Sequence, residues 1–306
     1  MTSTPSKNLL TDYFLLFVLA TLWGSSYAFI KVGVATIPPL TLMAARTVIA
    51  ASLLLVLMRL QGVRFPSGTR YWRLFAFQAL VNSVLPFTLI AWAEQTIDAG
   101  VATIINAAPP IFTFLITWLV TRHEAATPRK LLGVLAGLAG IVLMIGVDAL
   151  RGFNQAVWAQ SAIVIATLCY AVAAVFGRHF KGLPPIVPAA GSLISGAVVL
   201  VPLSLLFDRP WTLTPSSESL VALGLLSVFC TALAFIIFFR LLGTLGSVGT
   251  TSQAYLRVPI GVLIGVLWLA ERPSSTAYFG SALVVIGVAL MVFAHKAEQP
   301  AVRRAA

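Results

Sequence analysis

Charged residues are scarce in this sequence, and acidic residues are the scarcer kind. Only 9% of the 306 residues are charged, nine of them are acidic, and 59% are hydrophobic. A soluble domain of this length needs far more charge to cover its surface, so a water-soluble globule is excluded. The net charge of +11 lies in short gaps between apolar runs and not on one aromatic-rich face. A nucleic-acid partner is therefore not expected.

Residues that bind metals and phosphates are also few. The only two cysteines, Cys169 and Cys230, lie inside apolar runs and outside any CxxC or Cys/His cluster, so we interpret them as packing residues. The chain has no GxxxxGK phosphate loop, which disfavours ATP hydrolysis. It also has no DDxxD-like pair to hold magnesium and diphosphate, as a membrane-embedded prenyltransferase would need. No catalytic residue, metal ion or cofactor is predicted.

What the sequence does contain is a series of ten long apolar runs. A bilayer core takes about 20 apolar residues per helix, and short gaps rich in turn residues separate the runs. The first run is interpreted as an uncleaved helix and not as a signal peptide. The predicted helices cover residues 13–30, 39–58, 72–92, 100–120, 131–147, 157–177, 186–207, 220–239, 247–270 and 277–294. This pattern predicts an all-α, multi-pass membrane protein embedded in the lipid bilayer.

Lysine and arginine in the gaps predict the orientation, because positively charged loops stay in the cytoplasm. With ten crossings, fourteen basic residues fall on the side of the N-terminus. The other side has only Lys31, Arg151, Arg209 and Arg272. Both termini are therefore predicted to be cytoplasmic, in the cell inner membrane.

The two halves of the chain repeat each other, at a shift of 146 to 147 residues. Ala20-Thr21-Leu22 recurs as Ala166-Thr167-Leu168, and Pro38-Pro39 recurs as Pro184-Pro185. The predicted domains are residues 10–150 and 155–295. Five helices per half is an odd number, so the second half enters the membrane inverted. Such repeats provide two nearly equivalent conformations, as alternating access requires, although duplication that only builds a stable bundle is an alternative.

Several blocks in order resemble EamA-type transporters of the drug/metabolite transporter superfamily. The first block runs from Trp23-Gly24 to Lys31, followed by Pro38-Pro39 and Arg46. A second runs from Gly100 through Pro109-Pro110 to Glu124 and Gly133, and recurs from Ser247 through Pro259 to Glu271 and Gly280. The resemblance implies a ten-helix bundle around a central cavity. In that bundle the first four helices of each half form the pathway and the fifth lies at the periphery.

Polar and aromatic residues within the runs are candidates to line that cavity. Ionisable side chains inside a membrane are costly and suggest function, and Arg46 or Arg257 could bind a carboxylate or phosphate; a structural or snorkelling arginine is the alternative. Amides and aromatics complete the predicted substrate site, and prolines mark possible hinges. The amides are Gln78, Asn82, Asn106 and Gln253, the aromatics are Trp23, Tyr27, Tyr170 and Tyr255, and the hinges are Pro109, Pro110 and Pro259.

No acidic residue lies in the middle of a predicted run. Proton antiport normally needs a buried titrating group, so facilitated, gradient-driven transport is expected. The leading hypothesis is an exporter of small amphipathic metabolites, with amino acids, including aromatic ones, as the best guess. Broad efflux of cationic or lipophilic drugs is the alternative, and a membrane-embedded enzyme is a remote one.

A monomer and a homodimer both remain open, because Gly133 and Gly137, like Gly261 and Gly265, have the spacing of close helix contacts.

Overall fold

The computed structural model describes residues 9–119, 127–150, 155–276, 278–287 and 290. Within these ranges the regular structure is entirely helical. The helices are α1 Leu9–Val34, α2 Pro39–Leu60, α3 Thr69–Ala79, α4 Leu85–Ala93, α5 Ala99–Ile105, α6 Pro109–Leu119, α7 Pro128–Leu150, α8 Gln155–Phe176, α9 Ile186–Leu203, α10 Ser217–Ser227, α11 Ala234–Thr244, α12 Gly246–Thr251, α13 Ala254–Trp268 and α14 Tyr278–Gly287. Residues of the repeat such as Glu124 lie outside the described part.

Seven of the predicted runs coincide with helices long and apolar enough to cross a membrane. These are Leu10–Val34, Pro39–Leu60, Thr69–Ala93, Ala99–Leu119, Gln155–Phe180, Ile186–Asp208 and Ser217–Thr244. The other three runs coincide with α7, with the pair α12 and α13, and with α14. The helical class is therefore confirmed, while ten crossings and the inverted arrangement stay predictions.

Two spans contain a π-helical turn in their middle. In the third span it covers Leu80–Val84, and Pro86 follows at the start of α4. Proline has no N–H to donate, and a π turn is one way in which a helix absorbs the lost bond. The span Ser217–Thr244 has a matching turn at Val228–Leu233, without a proline. These turns bring Asn82 and Thr231 to the centre of the bundle, where both are buried.

The fourth span and its repeat mate are each broken in two. Pro109 and Pro110 open α6, because prolines fit the first turn of a helix, and residues 106–108 separate them from α5. In the second half, Ser252 and Gln253 separate α12 from α13. Pro259 lies inside α13, so this break precedes the proline at which the sequence suggested a hinge.

The helices of the first half pack mainly against those of the second. Helix α2 lies along α9, α4 along α8, and α1 against α10 and α13. Glycines bring α7 and α14 together: a Cβ on Gly140 would lie 2.6 Å from Gly280 O, and one on Gly287 would lie 2.6 Å from Gly137 N. The glycines at these positions are thus used for contacts within one chain.

Candidate functional site

A cavity lies at the centre of the bundle, and residues of both halves line it. Seven of the predicted site residues line it, together with Pro109: they are Trp23, Tyr27, Arg46, Asn82, Tyr170, Gln253 and Arg257. The cavity therefore draws residues from α1, α2, the first π turn, α8 and the beginning of α13. Its wall is aromatic over a large part and basic at two points.

Arg257 is the first basic group, and it lies one helical turn into α13. It is only 3% exposed. One guanidinium nitrogen donates a hydrogen bond to the backbone oxygen of Asn106, in the break between α5 and α6. The guanidinium carbon lies 5.9 Å from the centre of the Tyr27 ring. The Nε–H has no acceptor among the described residues, so this side chain keeps a donor that protein atoms do not use.

Arg46 is the second basic group, and protein atoms hold it more tightly. Its Nε donates to Thr231 Oγ1 at 2.6 Å, and its guanidinium carbon lies 3.7 Å from the centre of the Phe87 ring. A weaker contact of 3.7 Å joins it to the sulfur of Met43. Within the described chain neither Arg46 nor Arg257 lies within 4.0 Å of a carboxylate. The positive charge of the cavity wall is therefore not neutralised by an ion pair there.

Asn106 lies behind the wall and joins three helices. Its Nδ2 donates to the hydroxyl of Tyr27, and its Oδ1 accepts a 2.9 Å bond from Thr167 on α8. Its backbone oxygen accepts the bond from Arg257. The amide is therefore fully engaged and acts on the cavity by positioning Tyr27 and Arg257.

Two lining amides keep unpaired atoms. Asn82 Nδ2 and Gln253 Oε1 are buried without a hydrogen-bond partner in the part of the chain that the structure describes. With Arg257 Nε, the cavity wall thus offers two unused donors and one unused acceptor. Unpaired buried polar atoms are costly, and a polar ligand would satisfy them.

The remaining predicted site residues lie elsewhere. Gln78 shares a helix face with Asn82 and is fully buried, but it does not line the cavity, and neither does Asn106. Tyr255 belongs to α13, but its side chain lies outside the described part. Of the two symmetry-related amides, Gln253 borders the cavity. Asn106, its repeat mate, lies one layer behind.

Sequence reasoning missed several lining residues. Phe87, Phe235, Phe238, Thr250 and Thr251 all border the cavity, and Phe238 packs against Trp23 at 5.4 Å between ring centres. Phenylalanines in an apolar run give no signal that distinguishes cavity from lipid. The threonines could have been suspected, because they precede Gln253 in a polar stretch.

A second polar cluster contains Lys31, Glu94 and Glu271. It lies at the end of the bundle away from the N-terminus, and we call this end the opposite end. Lys31 Nζ donates to the backbone oxygens of Glu94 and Ile97, both at 2.7 Å. Glu271 accepts from the backbone nitrogens of Ala99 and Gly100, at 2.7 and 2.9 Å. These bonds tie α1 and the segment after α13 to the connection between α4 and α5.

Glu94 in this cluster corrects a premise of the sequence analysis. It ends α4, as expected, yet it is 0% exposed, and both of its carboxylate oxygens lack a partner among the described residues. Asp12 is also buried, 3.9 Å from Arg240. A position at a helix end therefore did not place these carboxylates in water, because neighbouring helices and loops cover them.

Comparison with known proteins agrees with this architecture. Residues 10–146 and 157–293 match the EamA-like transporter family. An uncharacterized inner membrane transporter, YedA of Escherichia coli, is 27% identical over 287 residues, which cover 93% of this chain and 92% of that protein. A probable terminal-alkyne amino-acid exporter of Streptantibioticus cattleyicolor is 25% identical over 277 residues, covering 88% and 89% of the two chains.

A solved crystal structure shares the fold. It superposes with a TM-score of 0.67 at 21% identity, over 94% of this chain and 99% of its own. The two family matches together cover most of the sequence, and the described helices include seven apolar enough to span a bilayer. This chain is a multi-pass membrane protein and belongs to the EamA-like transporter family.

Proposed function

We propose that this protein exports small amphipathic metabolites that carry a carboxylate, with amino acids, including aromatic ones, as the best candidates. The observation that carries this proposal is Arg257, buried in the cavity wall with a free Nε–H and no carboxylate partner among the described residues. A buried guanidinium without a counter-ion favours an anionic ligand group, because charge-assisted bonds then offset its desolvation.

The other unpaired atoms complete an amino-acid site. Asn82 Nδ2 can donate to the same carboxylate, and Gln253 Oε1 can accept from the ammonium group. Trp23, Tyr170 and Phe238 offer ring faces to an apolar or aromatic side chain. The relative named as a probable amino-acid exporter supports the same substrate class.

Transport is proposed to proceed by alternating access between two inverted five-helix halves, residues 10–150 and 155–295, with ten crossings and both termini in the cytoplasm of an inner-membrane protein. The supporting observation is that the two helix breaks, before Pro109 and before Ala254, occur at matching places in the repeat and border the cavity. Discontinuous helices at a central site are typical of such transporters. Pro109 and Pro110 remain the proposed hinge of the first half; in the second half the break at Ser252 and Gln253 lies nearer to the cavity than Pro259 does.

Efflux of lipophilic drugs is the alternative that the aromatic wall favours. Cationic drugs fit it poorly, because none of the cavity-lining residues is acidic and two are arginines. Facilitative, gradient-driven transport stays a prediction; Glu94 is a buried carboxylate, which makes proton-coupled transport the competing mode.

Counterflow in proteoliposomes tests the substrate class. Vesicles preloaded with unlabelled tryptophan or phenylalanine should accumulate the labelled compound transiently, while vesicles preloaded with tetraphenylphosphonium should show no counterflow of that cation. Counterflow of the cation without counterflow of either amino acid would overturn the proposal in favour of drug efflux.

A further inference from the structure

Glu94 is the one carboxylate of the described chain that is completely enclosed and has no hydrogen-bond partner on either oxygen. An ionised carboxylate in that state is strongly disfavoured, because neither water nor a donor replaces its lost hydration. Burial raises the pKa of this carboxyl, one residue beyond the span Thr69–Ala93, well above its usual range. The group is therefore suited to hold a proton in this conformation.

The charged groups around Glu94 come from three other parts of the chain. Lys31 on α1 and Arg46 on α2 favour the ionised carboxylate, and Glu271 after α13 disfavours it. Lys31 is nearby but is occupied, because its Nζ donates to the backbone oxygens of Glu94 and Ile97. Glu271 is occupied by the amides of Ala99 and Gly100.

The same cluster closes the opposite end of the bundle. Lys31 ties α1 to the α4–α5 connection, and further bonds join the halves at this end: Thr36 donates to Ser219 at 2.8 Å, and the backbone nitrogen of Thr41 donates to Asp208 at 2.7 Å. Glu94 also lies close to the cavity, one helical turn beyond the lining residue Ile90, whose backbone oxygen accepts the ordinary helical bond from the Glu94 backbone nitrogen. A change at Glu94 can therefore act on both the closure and the site.

We propose that Glu94 is a proton-binding site that couples transport to proton movement: it holds a proton while the opposite end is closed and releases it in the transport cycle. This rests on the proposed transport function. Loss of the proton offers Lys31 a carboxylate in place of two neutral carbonyl oxygens, and an ion pair is the stronger interaction. Lys31 then exchanges its bond to the Ile97 oxygen for one to the Glu94 carboxylate, so the contact between α1 and the α4–α5 connection rearranges.

The direction of coupling follows from these two states. A proton taken up from the opposite side favours closure of that end and return of the empty carrier to the conformation described here. Its release on the N-terminal side prepares the next opening. Protons therefore enter as substrate leaves, with one proton per substrate molecule.

A pH gradient imposed on proteoliposomes tests this coupling. With an acidic lumen and the membrane potential clamped at zero, vesicles should accumulate tryptophan about tenfold per unit of pH, since one pH unit corresponds to a factor of ten in concentration. A protonophore should abolish this accumulation. Glu94→Gln, which resembles the protonated form and cannot release a proton, should show no accumulation of tryptophan in response to the pH gradient. The exposed Glu218 provides a control, and Glu218→Gln should accumulate tryptophan like the wild type.

Several outcomes separate the coupling from the transport function. Counterflow by the wild type without pH-driven accumulation, or equal accumulation by Glu94→Gln, overturns the coupling but leaves transport intact. Absence of all counterflow, with tryptophan and phenylalanine alike, refutes the proposed function. In that case infrared spectroscopy still tests whether Glu94 binds a proton. The wild type at neutral pH should show a buried carboxylic-acid carbonyl band that Glu94→Gln removes, and absence of that band in the wild type contradicts the proposal.

Discussion

The guanidinium of Arg257 donates a hydrogen bond to the backbone oxygen of Asn106, which joins the beginning of α13 to the break between α5 and α6. The two residues belong to different halves of the repeat, and Arg257 lies one helical turn after Gln253, the repeat mate of Asn106. A carbonyl in the middle of a continuous helix would be bonded to an N–H four residues on, but here that position is Pro110, which has none. The helix break thus provides the acceptor that positions the arginine in the cavity wall.

Replacing Arg257 with alanine should weaken tryptophan binding at least tenfold. Hydrogen bonds to charged groups contribute about 1.5–3 kcal/mol, and the variant removes the one unpaired guanidinium donor that borders the cavity. Arg257→Lys should lose less, because it keeps the charge but not the forked geometry. Calorimetric titration of the purified protein measures both affinities. Arg129 is exposed, so Arg129→Ala is the control and should bind tryptophan like the wild type. Unchanged affinity in Arg257→Ala would show that Arg257 does not bind the substrate.

Replacing Thr231 with valine should destabilise the fold. The variant keeps the side-chain shape but leaves Arg46 Nε buried without its 2.6 Å acceptor, at a cost of about 1–3 kcal/mol. Thermal unfolding in detergent should show a lower midpoint than the wild type. Thr21→Val is the matched control, since the Thr21 hydroxyl bonds only to its own helix, at Phe17 O. Equal midpoints for the two variants would mean that Arg46 finds another acceptor.

Replacing Gly287 with alanine should loosen the contact of α14 with α7. The added Cβ would lie 2.6 Å from Gly137 N, so the helices must separate, and overpacking typically costs about 1–3 kcal/mol. Gly224→Ala is the control, because a Cβ there meets nothing within 4 Å. Thermal unfolding distinguishes the two variants: the unfolding midpoint of Gly287→Ala should lie well below that of Gly224→Ala. The reverse order would argue against this helix pair.

Replacing Glu271 with alanine should free the first turn of α5. The carboxylate accepts from Ala99 N and Gly100 N, and losing such a cap costs about 0.5–2 kcal/mol. Hydrogen exchange at these two amides should accelerate. Glu271→Gln should have a smaller effect, because it keeps one acceptor oxygen. Glu218→Gln should leave both amides unchanged, and protection that persists in Glu271→Ala would contradict the capping role.

The residues that line the cavity could be predicted only in part. Arg46, Arg257 and Gln253 stood out because polar groups in apolar runs are expensive in a membrane. Gln78 and Asn106 carried the same signal, yet neither borders the cavity. A periodic pattern assigns a residue to a helix face, but rotation of that helix against its neighbours decides whether the face meets the cavity or another helix.

Composition and repetition alone determined the class of this protein. A chain with 9% charged residues and repeated long apolar runs can satisfy its backbone hydrogen bonds in lipid only as helices or as a closed barrel, and runs of this length indicate helices. The tertiary structure decided the surroundings of each polar group. Glu94 ends a helix, so the sequence did not mark it as a buried titrating group, but burial depends on what packs over that end. Because α1 and the segment after α13 cover it, a residue set aside on sequence grounds became the proposed proton site.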